Sequence, residues 1–338
     1  MGYGGNLVWT RVISSINKEF NKKILLCDKP LLSDLLRGNL YNCESDYEND
    51  EVFRNNPKVK FIRCQNKTIP LRFVDYLFKI IIYPRVLLII YEWIIFKSSL
   101  LVHRNRDFLP VYLDMFIHSY ARRELSDRFI WKDGGDIASV ITQNFGVEHS
   151  VKNCEFFFSK NESEVLQKKI IDNYKLKKYI VIESGSNTDW FGDLRAWPEE
   201  SWKTLLGELS PKLIDEDIEI VQVGLKTTNA LNGVKDLRGK TTFREVAYLM
   251  SKSMLFIGTE GGLMHLANSV KVDSIILWGG VTTPEFAGYK DTQTVICNYV
   301  DCISCGLKGN CPNNIKCMKS ISPSHVKEVV FKKLSLES

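Results

Sequence analysis

What the chain lacks narrows the field first. No stacked basic helix, aromatic platform or zinc-finger Cys/His spacing occurs in its 338 residues, so a nucleic-acid partner is not expected. The opening MGYGGNLVWT has neither the basic start nor the apolar run of a secretory signal. Asn6, where a myristoylation signal needs Ser or Thr, removes that anchor too. The most apolar window, LFKIIIYPRVLLIIYEWIIF (77–96), is cut by Lys79, Arg85 and Glu92 and broken at Pro84. Its longest uncharged run falls well short of the roughly 20 residues a membrane span needs. Two readings of it stay open: a buried strand and helix, or a helix on a membrane surface, with Tyr91 and Trp93 at the interface and Lys97 and Arg104 flanking. Internal repeats and low-complexity segments are also missing.

What is present is ordinary globular material. An apolar share of 44% with 25% charged residues argues against disorder, and the length suits two domains. A net charge of +5 suits a phosphate-bearing ligand or an anionic membrane surface. Without an export signal the expected compartment is the cytoplasm, with peripheral contact at the inner face of the membrane as the sharper expectation. Five of the nine cysteines crowd into 297–317; in the cytosol such thiols more often hold metal than pair.

The second half reads clearly. KKYIVIESGS (177–186), IEIVQVG (218–224), MLFIG (254–258) and DSIILWG (273–279) are strands, each running into glycine. Between them WPEESWKTLLGEL (197–209) and TTFREVAYLMSKS (241–253) have helical spacing, the first with Pro198, Glu199 and Glu200 in its first turn. Strands alternating with helices predict a parallel sheet covered on both faces, with a ligand crevice at the strand ends. The first half is less regular: a helix over 5–20 entered from a Gly-rich turn, strands at 22–28 and 59–64, a polar loop over 38–58, and a helix over 110–125. Such a turn ordinarily follows a strand, and only three residues precede Gly4, so that strand is either missing or lies upstream of Met1. The division is expected within a charged helix at 159–177, giving domains 1–160 and 177–338.

The stretch FIGTEGGLMHLANSV (256–270) carries the chemistry. A strand stops at Gly258, a Thr259-Glu260-Gly261-Gly262 turn follows, and a helix begins at Leu263. The first turn of a helix leaves backbone N–H groups without partners at the positive end of its dipole, and glycines let a ligand approach them. That is a seat for a phosphate, or else a tight turn that merely uses glycine's freedom. Its company favours the seat. ESGSNTDWFGDLRAWP (183–198) brings Ser184, Ser186, Asn187, Thr188 and Arg195 to a neighbouring strand end, and a guanidinium can grip a diphosphate with paired hydrogen bonds.

The run DLRGKTTFREVAYLMSKSMLFIGTEGGLMHLANSV (236–270) closely resembles the signature of glycosyltransferase family nine, the ADP-heptose:lipopolysaccharide heptosyltransferases and their relatives. LRAWPEESWKTLL (194–206) is similar to the family's second landmark, and ILWGGVTTPEFAGY (276–289) to its third. The Cys-rich tail ending CMKSISPSHV (317–326) also resembles that of many members. The likeness is strong over 177–326 and weak over 20–160. It implies an α/β fold of the GT-B class, two Rossmann-like domains facing across a cleft, and metal-independent transfer with inversion. The C-terminal domain would bind a nucleotide-diphosphate sugar, commonly ADP-heptose, and the N-terminal one a glycan or lipid-linked acceptor.

In that frame Arg195 and the N–H groups around Gly261, Gly262 and Leu263 would stabilise the departing diphosphate. Glu260, where the family usually has Asp, would accept hydrogen bonds from sugar hydroxyls. Ser184, Thr259 and Gly224 would join the donor site, the last as a lip for the nucleoside. His265 would donate to a phosphate or brace the turn. The general base is the gap: the family's usual Asp ahead of the first helix is here Asn6, and an amide cannot take up a proton. Asn6 would orient the acceptor, with Asp114 or His118 as alternative bases. The remaining readings are a homologue that binds the nucleotide sugar without turnover, and a nucleotide-sugar epimerase on the same fold. Finally, Cys302, Cys305, Cys311 and Cys317 offer four thiolates for a structural zinc or iron, as in some protein-heptosylating relatives, or else stay paired or free; no cofactor is expected to take part in catalysis.

Overall fold

The computed structural model describes residues 2–27, 50–61, 105, 107–112, 136–185, 192–303, 305–307 and 310–337. Two compact units divide the chain: Val8–Lys152, and Asn153–Ser338 together with Met1–Leu7. The division falls after Leu7 and Lys152, ahead of the 159–177 helix.

Helix α1, Tyr3–Phe20, starts earlier than its sequence suggests. Gly4 and Gly5 lie inside it rather than in a turn before it. In the Val8–Lys152 unit a small parallel sheet has the order β2-β1-β3, from Val59–Phe61, Lys23–Cys27 and Phe108–Tyr112. Residues 110–112 are therefore strand, not the start of a helix; 113–125 lie outside the described residues. Val12, Ile13 and Ile16 recur at helical spacing along α1 and are fully buried, as are Ile24, Leu109 and Val111 of the sheet. Arg11 fastens this unit. Its Nη1 donates to Asp136 Oδ1 (2.9 Å), its Nη2 also meets Asp136 Oδ2, and its Nε donates to the Val151 carbonyl (3.1 Å). Asp136 in turn caps α2, Ile137–Asn144, by accepting from the Ala138 amide.

The larger unit opens with α3, Lys160–Leu166, which runs on as a π-helical stretch, Gln167–Asp172. Its sheet is entirely parallel, with strands β4 Tyr179–Ile182, β5 Glu219–Gln222, β6 Lys235–Asp236, β7 Leu255–Thr259, β8 Ser274–Trp278 and β9 Thr294–Cys297. They lie in the order β6-β5-β4-β7-β8-β9. Counted from β4 this is the 3-2-1-4-5-6 order of doubly wound sheets, so winding reverses between β4 and β7. Those two strands pair with Ile180 opposite Leu255 and Ile182 opposite Ile257.

Helices α4 (Glu199–Asp215), α5 (Phe243–Lys252) and α6 (Gly262–Ser269) make crossovers. After α7 (Pro284–Ala287) and α8 (Lys316–Lys319), helix α9 (Pro323–Leu334) returns to pack on α4. Strands β4, β7 and β8 are buried at every position, as a sheet covered on both faces requires. Ile180 and Ile182 join Leu205, Leu209 and Val330 in one core, while the Tyr179 hydroxyl donates to Leu249 of α5 (2.8 Å). A capping box starts α5: the Glu245 amide donates to Thr242 Oγ1 (3.3 Å), and the Thr242 amide donates back to Glu245 Oε2 (2.8 Å). Arg244 is buried over the Phe156 ring and pairs with Glu162 (2.6 Å), which anchors the 153–172 segment to α5.

Candidate functional site

In doubly wound sheets ligands bind beyond the carboxyl ends of the strands where the winding reverses. The loop after β4 (Glu183, Ser184, Gly185) and the loop after β7 (Glu260, Gly261) occupy that position. Residues 186–191 lie outside the described residues, so nothing is assigned to Ser186, Asn187 or Thr188. The chain is described again in a short 3₁₀ turn, Gly192–Arg195, whose last residue reaches the other loop. Arg195 Nη2 stands 2.9 Å from Glu260 Oε1. The same oxygen accepts from Thr282 Oγ1 (2.6 Å), from the loop after β8. Three strand-end loops thus meet at one carboxylate.

Glu260 is 4% exposed, and among the described residues its Oε2 has no hydrogen-bond partner. Burial pushes its carboxyl up, while Arg195 and the Thr282 hydroxyl pull it back. Immediately after it α6 begins without a side-chain cap, Gly261 being extended at φ 171°. The first-turn amides at Gly262 and Leu263 are therefore left for another acceptor. Thr259 and Leu263 are buried beside them. The first turn of α1 comes to this point as well. A Cβ on Gly4 would lie 3.0 Å from His265 Cδ2 and 3.2 Å from Gly262 Cα, so glycine is what lets α1 approach. Asn6 is buried in the same turn, and no acidic residue stands there. His265 Nδ1 lies 2.6 Å from the Tyr289 hydroxyl.

On the β5 side, Ser184 Oγ accepts from Gln222 Nε2 (2.7 Å). Gly224 follows β5 at φ 124°, a backbone that favours glycine, and its carbonyl accepts from the Gly239 amide. A cavity of about 630 Å³ opens here, lined among others by Ser184, Gly185, Trp197, Glu199, Trp202 and Thr228.

The structure thus draws together Arg195, Thr259, Glu260, Gly261, Gly262, Leu263 and His265, with Asn6 alongside and Ser184 and Gly224 on the neighbouring strand ends. Asp114 and His118, and the apolar window 77–96, lie outside the described residues. Three participants had no signal strong enough to pick out from sequence. Thr282 and Tyr289 sit in the third family landmark, which marks the segment but not its polar contacts. Glu183 follows β4 directly and is half-buried, and burial pushes its carboxyl up to about 8.

The cysteines do not form the expected ligand set. Among the described residues no three of His, Cys, Asp or Glu gather as metal ligands. Cys317 is buried on α8, where its Sγ accepts from the Gly280 amide (3.2 Å), whereas Cys305 is exposed on a loop and donates its own amide to the Gly280 carbonyl (2.9 Å). Both segments therefore meet at Gly280. Among the described residues no helix is long and apolar enough to cross a membrane.

Comparison with known proteins agrees with this geometry. The model of glycosyltransferase family 9 (heptosyltransferase) matches residues 136–315, more than half the chain. No curated protein sequence matches. Among solved structures the chain is similar to a family 9 glycosyl transferase from Veillonella parvula, at 15% identity over 99% of this chain and 95% of that one, with a TM-score of 0.61. It is also similar to ADP-heptose lps heptosyltransferase II of E. coli, at 14% identity over 93% of this chain and 98% of that one, with a TM-score of 0.54. The likeness to these structures shows the α/β, GT-B class of fold. With the family's model spanning Arg195, Glu260 and the start of α6, the chain belongs to glycosyltransferase family 9 and is a glycosyltransferase.

Proposed function

We propose that the protein is an inverting transferase that moves a sugar, with heptose as the first choice, from a nucleotide-diphosphate sugar such as ADP-heptose. The acceptor would be a hydroxyl of lipopolysaccharide or another surface glycan. One observation carries this reading: Arg195 and Glu260, paired at 2.9 Å across the switch point, stand beside the uncapped start of α6. In it the diphosphate rests on the α6 amides and Arg195, and the sugar hydroxyls donate to Glu260 Oε2. The nucleoside enters the cavity beside Ser184, whose volume suits a ligand of that size.

The acceptor oxygen attacks C1 of the sugar, the bond from C1 to the phosphate oxygen breaks, and the diphosphate leaves with the electron pair. Its growing charge is met by groups already in place, which is where such a site gains most. The acceptor's proton goes to a base other than Asn6, with Asp114 and His118 as the candidates. The E. coli neighbour is by its name an ADP-heptose enzyme of lipopolysaccharide, which supports the choice of donor and acceptor. The mild positive charge and the 77–96 window support work at the cytoplasmic face of a membrane.

The absence of any acidic residue from the first turn of α1 favours one second reading, a homologue that binds the nucleotide sugar without turnover. Following ADP release from ADP-heptose with a lipopolysaccharide acceptor, in wild type and Asn6→Asp, separates the two. Turnover by wild type supports a base elsewhere. Turnover only by the variant, or ADP-heptose binding with none, supports the second reading, and failure of either protein to bind ADP-heptose overturns the choice of donor.

A further inference from the structure

Two adjacent glycines follow β8, and the groups that crowd them come from far along the chain. A Cβ on Gly279 would lie 3.1 Å from the Leu194 carbonyl oxygen and 3.1 Å from Met318 Sδ. One on Gly280 would lie 3.3 Å from Cys317 Sγ and 3.6 Å from Ile303 Cα. Neither glycine has a left-handed backbone, so close approach rather than conformational freedom calls for glycine here. The turn after β8 thus packs directly against both the Gly192–Arg195 turn and α8.

Hydrogen bonds fix this turn in the same place. The Gly280 amide donates to Cys317 Sγ (3.2 Å), the Gly280 carbonyl accepts from the Cys305 amide (2.9 Å), and the Val281 carbonyl accepts from the Gly306 amide (3.0 Å). Thr282 comes next. Its hydroxyl donates to Glu260, and its carbonyl accepts from Trp278 Nε1 (2.9 Å). The tail that carries Cys317 holds the other arm of the site as well, since Trp197, just beyond Arg195, donates its Nε1–H to the Ile321 carbonyl (3.2 Å). Cys317, Met318 and Ile321 are 8%, 0% and 1% exposed, so this brace belongs to the core. A thiol sulfur accepts weakly, but it is the acceptor set before a buried amide, and burying that amide without one would be costly.

We propose that Cys317 is a positioning residue for the donor site: by accepting from the Gly280 amide it sets the turn after β8 so that Thr282 meets Glu260. Glu260 Oε1 is then engaged by both Thr282 and Arg195, which orients the carboxylate for the sugar hydroxyls at Oε2. What Oε2 receives rests on the donor reading above; the tie between Cys317 and the turn does not.

Full-length protein labelled with ¹⁵N-tryptophan reports on the turn directly. Seven indole signals are expected, and Trp278→Phe identifies the one that donates to Thr282. Cys317→Ala should move the Trp278 indole signal and weaken ADP-heptose binding in calorimetry by about 3- to 10-fold, the range of one neutral hydrogen bond. Cys317→Ser keeps an acceptor at that place and should restore most of both, whereas a role in packing alone would leave the two variants alike. In a Thr282→Val background Cys317→Ala should lower the affinity no further, because its effect passes through Thr282. An unmoved Trp278 signal, a serine variant no better than alanine, or a full further loss in the Thr282→Val background overturns the proposal. Should the alanine variant not fold, the serine variant decides: it must keep the Trp278 signal and the affinity, and loss of either counts against Cys317. Wild type that does not bind ADP-heptose removes the donor reading, and the indole signals then decide alone whether Cys317 sets the turn.

Discussion

Arg195 Nη2 and Glu260 Oε1, 65 positions apart in the chain, lie 2.9 Å apart at the carboxyl edge of the larger sheet, with 17% and 4% of their side chains exposed. Each limits the other. The guanidinium favours charge on a carboxylate whose burial disfavours it, and the carboxylate holds the guanidinium near the start of α6.

Removing that cation has two expected effects. Arg195→Ala leaves Glu260 buried without its counter-charge, and a loss of about 2 to 4 kcal/mol in denaturant unfolding is expected at pH 8. The loss should shrink as pH falls, because the raised Glu260 carboxyl can take up a proton instead. ADP affinity by calorimetry should fall by about 10- to 100-fold, the range of one or two charge-assisted hydrogen bonds. Unchanged affinity would remove Arg195 from the donor site.

Glu183 predicts a pH dependence of opposite sense to that of a salt-bridged acid. Its carboxyl is pushed up from 4.5 to about 8 by burial, so between those values the folded state holds a proton that the unfolded chain has lost. Stability should therefore fall as pH rises through that window, by up to about 1.4 kcal/mol per pH unit from this group. Glu183→Gln, which keeps the shape without the charge, should melt higher than wild type at pH 8 and alike at pH 5. Parallel melting curves across that range would contradict the burial argument.

At Asp136 the sign reverses. Burial pushes its carboxyl up, but hydrogen bonds from His149 and Arg11 and the Arg11 charge outweigh it, and the result is a lowered value. Its contribution is present above about pH 4 and lost as pH falls through the folded-state value. Asp136→Asn keeps the α2 cap but strips Arg11, 4% exposed, of its counter-charge. A cost of about 2 kcal/mol is expected at pH 7, below that of a fully buried pair because Asp136 is 30% exposed. Equal unfolding midpoints for variant and wild type at pH 7, with a difference only at pH 3, would show the sign to be wrong.

Gly185 tests how closely the β4 loop is packed. A Cβ there would meet the Thr228 methyl and lie 2.7 Å from Thr228 Cβ. Gly185→Ala should cost about 1 to 3 kcal/mol of stability, the usual range for overpacking. Thr228→Gly in the same chain should restore most of it, since the obstruction is that one side chain. Additive losses in the double variant would show that the two residues do not touch.

How much of this was legible beforehand differs by element. Strands β4, β5, β7 and β8 announce themselves as short apolar runs ending in glycine, because strands covered on both faces need few polar positions. The amphipathic spacing of 243–250 marks α5 just as plainly. The segment 110–112 misled: FLPVY is short and apolar enough for either periodicity, and what makes it strand is pairing with β1, Ile24 opposite Leu109. Gly4 and Gly5 looked like a turn because glycine is poor in helices. Gly4 suits its place inside α1 because Gly262 and His265 crowd the position a Cβ would take.

By itself the sequence determined the local facts: which stretches of the second half are strand or helix, that α6 begins behind two glycines, that Asn6 carries no acid, and which family the chain resembles. These follow from backbone propensity, apolar spacing and residue chemistry, all of which act over a few positions. Only the tertiary structure decided that Arg195, Glu260 and Thr282 share one point, that Tyr289 stands beside His265 and Cys317 beside Gly280, and that the four cysteines do not close on a common centre. Those outcomes depend on strand order and on which loops the sheet brings side by side, and contacts between residues tens of positions apart leave no periodic trace in the chain.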